Sequence, residues 1–358
     1  MPRVAIVGGG LSGFVSYLTL RRGGIEDVAV FSTEADPAAA WRRRAAAIRQ
    51  THMRSESDGH CLPTSFPGLA VRDARRRRSL SPLFASVCDR YHPAVDAFLT
   101  HVEEQRGASG WAPVPARIER VTAVAGGFAL EGLGVGGVFE HVLLATGHPG
   151  LAVPEELRDD PRAVHAYEPH EYAESVCVVG AGLAAATEWG NALAAGARVV
   201  SVRRREPVRR PLNVPRPYLT RRGLAGFHRL DREERALLLG RLLAPSYPPG
   251  REWDAPLASE RFCVEARVNG ADQLICATGF LRGFHHDPLL ARLAEEHELE
   301  TVNGWIVLAP DSTVPGLTDD SRTLAVAGVA GQWAYPAADS LMGARYAAHG
   351  FLRRCRTH

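Results

Sequence analysis

The chain has 358 residues, of which 46% are hydrophobic and 23% are charged, and 42 basic residues nearly balance 40 acidic ones to give a net charge of +2. This composition is typical of a globular protein of two or three domains, and the near-neutral charge argues against a nucleic-acid partner. Every one of the 42 basic residues is arginine, which excludes Schiff-base chemistry, covalent pyridoxal phosphate and the lysine of a Walker loop.

The cysteines and histidines form no recognisable redox or metal motif. None of the six cysteines belongs to a C-x-x-C pair, which leaves a redox disulfide unsupported, and no histidine spacing fits zinc. We therefore predict no metal site. The first residues run directly into a strand without a leader, and no segment is long enough to span a bilayer, so we expect a cytoplasmic, reduced location without a membrane partner.

The first half of the chain opens with a strand, a glycine-rich turn and a helix. Apolar residues predict a strand over 3–7, a helix over 11–22 and a strand over 28–31. The turn Gly8–Gly13, here called the first fingerprint, has the pattern G-x-G-x-x-G, in which glycines let the backbone approach a pyrophosphate at the start of a helix. It predicts a dinucleotide site that uses Gly8, Gly10, Ser12 and Gly13.

A helix interrupted by a proline and a further strand follow. The helix is predicted over Pro82–Gln105 with a break at Pro93, and the strand over 138–144. This strand ends in Ala145-Thr146-Gly147, here called the first corner.

The second half repeats the plan. Residues 176–179 predict a strand, 183–194 a helix and 198–202 a strand. The turn after the first of these, here called the second fingerprint, has the pattern G-x-G-x-x-A and predicts a second dinucleotide site that uses Gly180, Gly182, Leu183 and Ala185.

Two further elements complete this repeat. A helix is predicted over Asp231–Leu243 with Asp231 as its N-cap, and a hairpin over 261–268 and 273–277 around the turn Asn269-Gly270. The hairpin ends in Ala277-Thr278-Gly279, here called the second corner, followed by Phe280.

Three arginines, Arg203, Arg204 and Arg205, follow the strand over 198–202. An NAD-selective site offers an acidic residue there to the ribose 2′-hydroxyl, whereas guanidinium matches the 2′-phosphate of NADPH. The sequence therefore favours NADPH at the second fingerprint. A solvated basic loop is the alternative that the residues leave open.

The two fingerprints and two corners resemble those of flavoproteins with two dinucleotide-binding domains, and within them the N-hydroxylating and flavin-containing monooxygenases. Phe280 completes an element similar to the A-T-G-Y/F of those families. The resemblance implies FAD at the first fingerprint and NADPH at the second. It implies an α/β fold of two Rossmann-like dinucleotide-binding domains, in which the NADPH domain, residues 165–276, is inserted in the FAD domain, residues 1–164 and 277–358.

The chain departs from the family pattern at two places that concern the flavin. Relatives end the second strand in an acidic residue that binds the FAD ribose, but Ser32 stands here and the nearest acid is Glu34. Either Glu34 binds the FAD ribose from a shifted loop, or other groups bind it. The segment Ala327–Ala330 also lacks the aspartate that holds the ribityl chain in many relatives. Tight retention of FAD is therefore the weakest inherited expectation.

The resemblance implies further residues beside the flavin. Trp41 stands where relatives often carry a tryptophan against the ring, although core burial explains it equally well. The polar loop over 51–60 is expected near the ring, with Met53 at the cofactor, Arg54 as an anchor for a substrate carboxylate, and His52 or His60 at the ring edge. An exposed loop without function is the alternative.

The stretch 332–343 is expected to return to the flavin domain and to open the last helix. Asp339 or Ser340 is predicted to cap that helix, whose first turn would face the flavin's polar edge. Trp333 and Tyr335 are candidates for a wall of the substrate pocket.

Together these features predict an NADPH-dependent FAD monooxygenase that oxidises a nitrogen or other heteroatom of a small molecule with molecular oxygen, in specialised metabolism. One alternative is an NADPH:flavin reductase that passes electrons to an acceptor. Another is a dinucleotide-binding redox sensor without turnover. Homo-oligomer formation is left open.

Overall fold

A computed structural model describes residues 3–54, 68–268 and 270–356 of the chain. The helices are α1 (Leu11–Arg22), α2 (Ala39–Ala47), α3 (Leu69–Arg77), α4 (Ser81–Val87), α5 (Val95–Ser109), α6 (Leu183–Ala194), α7 (Arg221–Arg229), α8 (Arg232–Leu242), α9 (Arg251–Asp254), α10 (Pro288–Glu296) and α11 (Leu341–Arg356). Within these described ranges, no helix combines the length and the apolar character needed to cross a bilayer.

The strands, in chain order, are β1 (Val4–Val7), β2 (Val28–Ser32), β3 (Val114–Pro115), β4 (Ile118–Val124), β5 (Gly127–Gly132), β6 (Val135–Phe139), β7 (His141–Leu144), β8 (Ala163–His165), β9 (Ser175–Val179), β10 (Arg198–Val202), β11 (Val208–Arg209), β12 (Ser246–Tyr247), β13 (Phe262–Glu265), β14 (Gln273–Cys276), β15 (Thr301–Val302), β16 (Trp305–Ile306) and β17 (Thr323–Val326).

Two five-stranded parallel sheets dominate the architecture. The first has the order β17-β7-β1-β2-β3 and the second the order β13-β10-β9-β14-β8. Parallel sheets with helices packed against them confirm the α/β prediction with two Rossmann-like units. The chain leaves the first sheet after β7, builds the whole second sheet, and returns to pair β17 with β7.

The strand that leads into each fingerprint lies in the middle of its sheet. β1 is flanked by β2 and β7, and β9 by β10 and β14. All four residues of β1 are buried, as expected of a parallel strand covered on both faces. Because parallel strands end at one edge, each fingerprint and its corner meet at the carboxyl edge of their sheet, where ligands bind in open α/β folds.

The predicted hairpin around Asn269-Gly270 is wrong. β13 pairs with β10, and β14 pairs with β9 and β8, all of them in parallel, so the two strands lie on opposite sides of the β9–β10 pair. An Asn-Gly pair favours a turn locally but does not decide which strands pair, and here partners distant in sequence prevail. Asn269 itself lies outside the described residues.

Two other predicted elements are divided. The strand over 138–144 splits at Glu140, where β6 ends an antiparallel meander, β4-β5-β6, and β7 enters the first parallel sheet. The helix over 82–105 is two separate helices, α4 and α5. The helix α8 is confirmed together with its cap, because the Asp231 side chain accepts a hydrogen bond of 2.8 Å from the Glu234 backbone N–H.

Candidate functional site

In the first fingerprint, contact with neighbouring backbone leaves no room for a side chain at Gly8 or at Gly13. Gly8 has φ +105°, and a Cβ there would collide with the carbonyl oxygen of Ala145 in the first corner. A Cβ at Gly13 would collide with the Gly8 carbonyl oxygen. Gly10, in contrast, is the N-cap of α1 and has no atom within 4 Å of its would-be Cβ. The backbone in front of α1 is therefore open to a ligand.

The second fingerprint repeats this geometry. Gly180 has φ +142°, and its Cβ would collide with the carbonyl oxygen of Ala277 in the second corner. Gly182 is the N-cap of α6 and again has no atom within 4 Å of a would-be Cβ. Leu183 begins the helix, and Ala185 is fully buried in its first turn.

Both helices present a free N-terminus. α1 and α6 have 12 residues each, no side chain caps them, and neither has an acidic residue in its first turn. Unpaired N–H groups and the helix dipole attract an anion at such a terminus. With open space in front of Gly10 and Gly182, the residues present fit the pyrophosphate of a dinucleotide at each site.

The return segment reaches the first fingerprint. Gly328 has φ +73°, and a Cβ there would lie 3.1 Å from the Ser12 hydroxyl oxygen. The segment Ala327–Ala330, which lacks the family aspartate, therefore lies beside the start of α1. A side chain at Gly328 would require the Ser12 hydroxyl to move by a few tenths of an ångström.

The two corners lie where the chain crosses between the sheets. Gly147 and Gly279 close them with φ +81° and +79°. The two crossing segments, 147–152 and 278–281, are joined by backbone hydrogen bonds from Ala152 to Gly279 (3.0 Å) and from Leu281 to Gly150 (2.9 Å). The Thr278 hydroxyl donates to the Ala152 carbonyl oxygen, while Thr146 is half-buried. The corners therefore adjoin.

An aromatic stack fills this junction. The rings of His148 and Phe280 stack with centroids 3.9 Å apart, and Tyr167 stacks on Phe280 at 5.1 Å. The Arg44 guanidinium lies over Phe280, 4.6 Å from its centroid. Burial, with Arg44 and Arg282 nearby, lowers the pKa of His148 to about 4, so this imidazole is neutral at physiological pH.

The three arginines lie at the same edge as the second fingerprint, since the Gly180 N–H bonds the carbonyl oxygen of Val202 just before them (3.0 Å). Arg203 is 13% exposed and pairs with Glu206 at 2.9 Å. Arg204 is 86% exposed and reaches Glu156 at 3.1 Å, and Arg205 is exposed. The predicted phosphate-binding residues are thus next to the nucleotide edge.

The residues predicted around the flavin have several different surroundings. Glu34 forms an ion pair with Arg43 at 2.6 Å. Trp41 packs edge-on against Phe98 with ring centroids 5.0 Å apart, and Met53 packs against the same core. These contacts agree with the alternative interpretation of Trp41, in which its ring packs in the core.

His52 and Arg54 make different contacts. The Nδ1 atom of His52 lies 3.0 Å from the Thr51 hydroxyl, and His52 lines a cavity of about 580 Å³ beside the outer face of α6. Arg54 donates from Nε to the Pro211 carbonyl oxygen and from Nη2 to Arg210 O, each at 3.0 Å. Burial lowers the pKa of Arg54 to about 10. His60 lies outside the described residues.

The last helix begins as predicted, with Ser340 as its cap. The Gly343 N–H donates to the Ser340 hydroxyl oxygen at 3.1 Å. Trp333 and Tyr335, the candidates for a pocket wall, are buried instead: Trp333 belongs to the core under the first sheet, and Tyr335 stacks on Tyr346 with centroids 4.5 Å apart. Their side chains therefore face the core.

A group of side chains that the sequence did not bring together surrounds Asp339. Its Oδ1 accepts a hydrogen bond of 2.7 Å from the Asn213 amide, and Arg54, Arg210 and Arg282 act on it electrostatically. Asp339 and Arg282 keep access to solvent. Even so, burial raises the pKa of the Asp339 carboxyl and lowers that of Arg282. The group therefore brings a carboxylate, an amide and three guanidinium groups together from distant parts of the chain.

The members of this group come from three different parts of the fold. Arg282 follows the second corner after β14, and Asp339 follows β17 and the segment beside Ser12. Asn213 and Arg210 come from the stretch after β10. These positions are distant in sequence, and no local motif marks them, so only the fold reveals the group.

Comparison of the sequence with protein-family models finds no match, and a search of curated proteins finds none either. Solved structures do match over nearly the whole chain. The FAD-bound cadaverine monooxygenase of the desferrioxamine pathway from Erwinia amylovora has a TM-score of 0.75 at 13% identity, covering 100% of this chain and 95% of that one. The ornithine N-hydroxylase of Kutzneria sp. 744, with reduced FAD, NADP+ and L-ornithine, has a TM-score of 0.74 at 13% identity, covering 99% and 98%.

A bacillithiol disulfide reductase from Bacillus cereus matches less closely, with a TM-score of 0.60 at 14% identity over 98% of both chains. At such identities a match establishes the fold alone. The chain thus has the fold of the flavin-dependent N-hydroxylating monooxygenases.

Proposed function

We propose that the protein is an NADPH-dependent FAD monooxygenase that oxidises a nitrogen, or another heteroatom, of a small molecule. The observation that carries this proposal is the pair of open, uncapped helix N-termini at Gly10 and Gly182, whose corners adjoin at the junction of the sheets. Two dinucleotides bound there would lie with their binding edges next to each other at this junction. The domains assigned to them are 1–164 with 277–358 for FAD, and 165–276 for NADPH.

The two sites are assigned to different nucleotides by their surroundings. Arg203–Arg205 beside the second fingerprint supply positive charge for the 2′-phosphate of NADPH. The residues directly after β2, from Ser32 to Glu34, include no arginine, and we assign the first fingerprint to FAD, with Gly8, Gly10, Ser12 and Gly13 holding the pyrophosphate. When bound, the flavin would accept a hydride from NADPH and activate molecular oxygen. The chain binds and orients both nucleotides and excludes water from the junction.

The choice of nitrogen as the oxidised atom rests on the structural relatives. The two monooxygenases with TM-scores of 0.75 and 0.74 act on cadaverine and ornithine, both of which are amines.

The test is oxygen incorporation from ¹⁸O₂. Protein loaded with FAD is supplied with NADPH and a panel of primary amines, including cadaverine and L-ornithine, and the products are weighed by mass spectrometry. We expect one ¹⁸O atom in the product for each NADPH used productively. Rapid NADPH oxidation with ¹⁸O found only in peroxide or water, for every amine and for a parallel panel of thioethers, would contradict the proposal.

A second candidate function is a reductase, which the fold shared with the bacillithiol disulfide reductase favours. The two functions differ in their need for oxygen. A reductase would turn over NADPH without oxygen when given a disulfide or quinone acceptor, whereas the proposed monooxygenase would stop after one flavin reduction. Anaerobic NADPH consumption with these acceptors separates the two.

A further inference from the structure

The short helix α4 and the residue before it expose three large apolar side chains. Leu80 is 62% exposed, Phe84 69% and Val87 59%. Their spacing of four and three residues places them on one side of the helix, and the buried residues Pro82 and Ser86 lie on the opposite side. An apolar face of this kind, left open to water, is typical of a surface that binds a partner.

The helix in front of α4 ends in a run of four arginines, Arg75–Arg78, and all four are exposed. Arg76 and Arg77 pair with Asp73, at 2.8 and 3.1 Å. The side chains of Arg75 and Arg78 have no hydrogen bond or ion pair with any residue that the structure describes. Arg78 also has φ +49°, at the end of α3 where glycine is the usual residue. Two of the four guanidinium groups are therefore free to bind a ligand.

Positive charge is concentrated around this pair of helices. Residues 69–90 contain six arginines and two aspartates, a net charge of +4, whereas the whole chain has only +2. The acidic side chains nearby are already bonded to arginine: Asp89 pairs with Arg216 at 2.9 Å, and Glu104 of α5 pairs with Arg72. The remainder of the chain is therefore slightly acidic, and its basic region borders the apolar side chains of α4.

We propose that these residues, Arg75–Arg78 with Leu80, Phe84 and Val87, bind the surface of a membrane that contains anionic lipid. They are called the basic face below. Guanidinium groups bind lipid phosphates, while the apolar side chains enter the boundary between head groups and acyl chains. The sequence predicted no membrane partner because no segment can span a bilayer, but attachment to a lipid surface needs no spanning segment. This inference does not depend on the proposed function.

Other occupants suit the basic face less well. A second copy of the chain, related by a twofold axis, would bring two runs of arginines together, and like charges repel. A nucleic acid would contact the arginines through its phosphates but would leave the apolar side chains without a partner. A protein would need a groove shaped for three protruding side chains. A lipid layer needs no such groove, and it offers negative charge and an apolar interior together.

The experiment measures binding of the whole chain to vesicles by flotation. Vesicles of phosphatidylcholine alone are compared with vesicles that also contain phosphatidylglycerol, at low and at high salt. Phe84→Ser removes an apolar side chain from the basic face. Its matched control is Leu133→Ser, because Leu133 is 92% exposed in the turn between β5 and β6.

A second pair of variants tests the charge. Arg75→Gln combined with Arg78→Gln removes the two unpaired arginines of the basic face. Its control is Arg158→Gln combined with Arg229→Gln, which removes two exposed arginines from other parts of the surface. Thermal unfolding and the binding of FAD and NADPH are measured for every variant.

We expect the wild type to float with the anionic vesicles, to be released by high salt, and not to bind phosphatidylcholine alone. Phe84→Ser should weaken binding about tenfold or more, because an aromatic side chain no longer leaves water. The double variant at Arg75 and Arg78 should weaken it about 30-fold, or about fivefold for each charge. Both controls should bind as the wild type does. Amide hydrogen exchange over residues 75–87 should slow when anionic vesicles are added.

The inference would be overturned if the wild type did not bind anionic vesicles, or if the variants of the basic face bound them as tightly as the wild type. Equal losses in the variants and their controls would also overturn it. A wild-type dimer that Phe84→Ser converts to a monomer in light scattering would assign the face to self-association instead. Binding of a nucleic acid or an acidic protein, but not of vesicles, would likewise reject a lipid partner. Unchanged unfolding and nucleotide binding in all variants would separate these outcomes from a failure of the fold or of the proposed function.

Discussion

The two open glycines allow each nucleotide site to be disabled without damage to the fold. We expect Gly10→Ala to weaken FAD binding and leave NADPH binding unchanged, and Gly182→Ala to do the reverse. Gly10 and Gly182 have φ −68° and −95°, which alanine adopts freely. A Cβ at either position meets no protein atom within 4 Å, so the methyl group would fill only the space in front of the helix.

The magnitudes follow from these geometries. An N-cap alanine is disfavoured by about 0.5–1 kcal/mol relative to glycine, while restriction of the unfolded chain returns about 0.4–1 kcal/mol. The two terms offset, and the midpoint of thermal unfolding without nucleotide should move by no more than about 2–4 °C. The methyl group would displace a phosphate from one charge-assisted hydrogen bond of about 1.5–3 kcal/mol. The corresponding nucleotide should bind about 10- to 100-fold more weakly.

The assay combines thermal unfolding of the nucleotide-free protein with fluorescence titration of FAD and NADPH. Gly8→Ala serves as the matched control, because its φ of +105° and the collision with Ala145 should destabilise the fold by about 1–3 kcal/mol or more. The reasoning would be refuted if Gly10→Ala destabilised the protein as much as Gly8→Ala. It would also be refuted if either open-glycine variant weakened both nucleotides equally.

Three further predictions concern charged groups. Alanine at Arg203 or Arg204 should raise the NADPH KM about 10- to 100-fold and leave the NADH KM nearly unchanged, and equal effects on both would argue for a solvated loop. Arg282→Gln should leave the midpoint of thermal unfolding unchanged and raise about tenfold the KM of an anionic ligand, either NADPH or an amine that carries an acidic group. If neither KM changes, Arg282 does not bind an anionic ligand. His170 lies 3.1 Å from buried Glu188. Burial lowers its pKa, but the hydrogen bonds to Glu188 and to the Glu168 carbonyl oxygen and the charge of Glu188 together outweigh burial, so the net pKa is raised. The folded pKa of His170 therefore exceeds the unfolded value of about 6.5. For this reason the free energy of unfolding lost in His170→Gln should be greatest below about pH 6 and should shrink as the pH rises through the folded pKa. A loss that does not depend on pH would contradict this.

The sequence was most informative where a motif is local. The fingerprints at Gly8 and Gly180 and the Asp231 cap each depend on neighbouring residues, so their geometry could be predicted before the fold was known. The Asn269-Gly270 turn failed for the same reason, because it indicates a local reversal but carries no information on strand partners. β13 and β14 pair instead with strands formed far away in the chain.

The contacts of Asp339 and Arg54 illustrate what local patterns cannot supply. Asp339 was predicted only as a possible cap or cofactor contact, and its amide partner Asn213 lies 126 positions away. Arg54 was predicted as a substrate anchor, but its donors meet backbone oxygens of Arg210 and Pro211. Such pairings depend on how the second sheet and the stretch after it pack on the first, which no spacing in the sequence encodes. The cofactor roles of the individual residues remain predictions.

The hydrogen bonds between the two crossing segments affect the order in which the protein can fold. β7 and β17 must pair although the whole second sheet separates them in the chain, and a flexible loop of that length is slow and costly to close. The bonds from Ala152 to Gly279 and from Leu281 to Gly150 hold the two ends of the inserted unit side by side. If that unit forms first, the loop left to close is only the segment beyond residue 281. The inserted unit then shortens the loop that must close before β7 and β17 can pair, and so it assists the assembly of the first sheet.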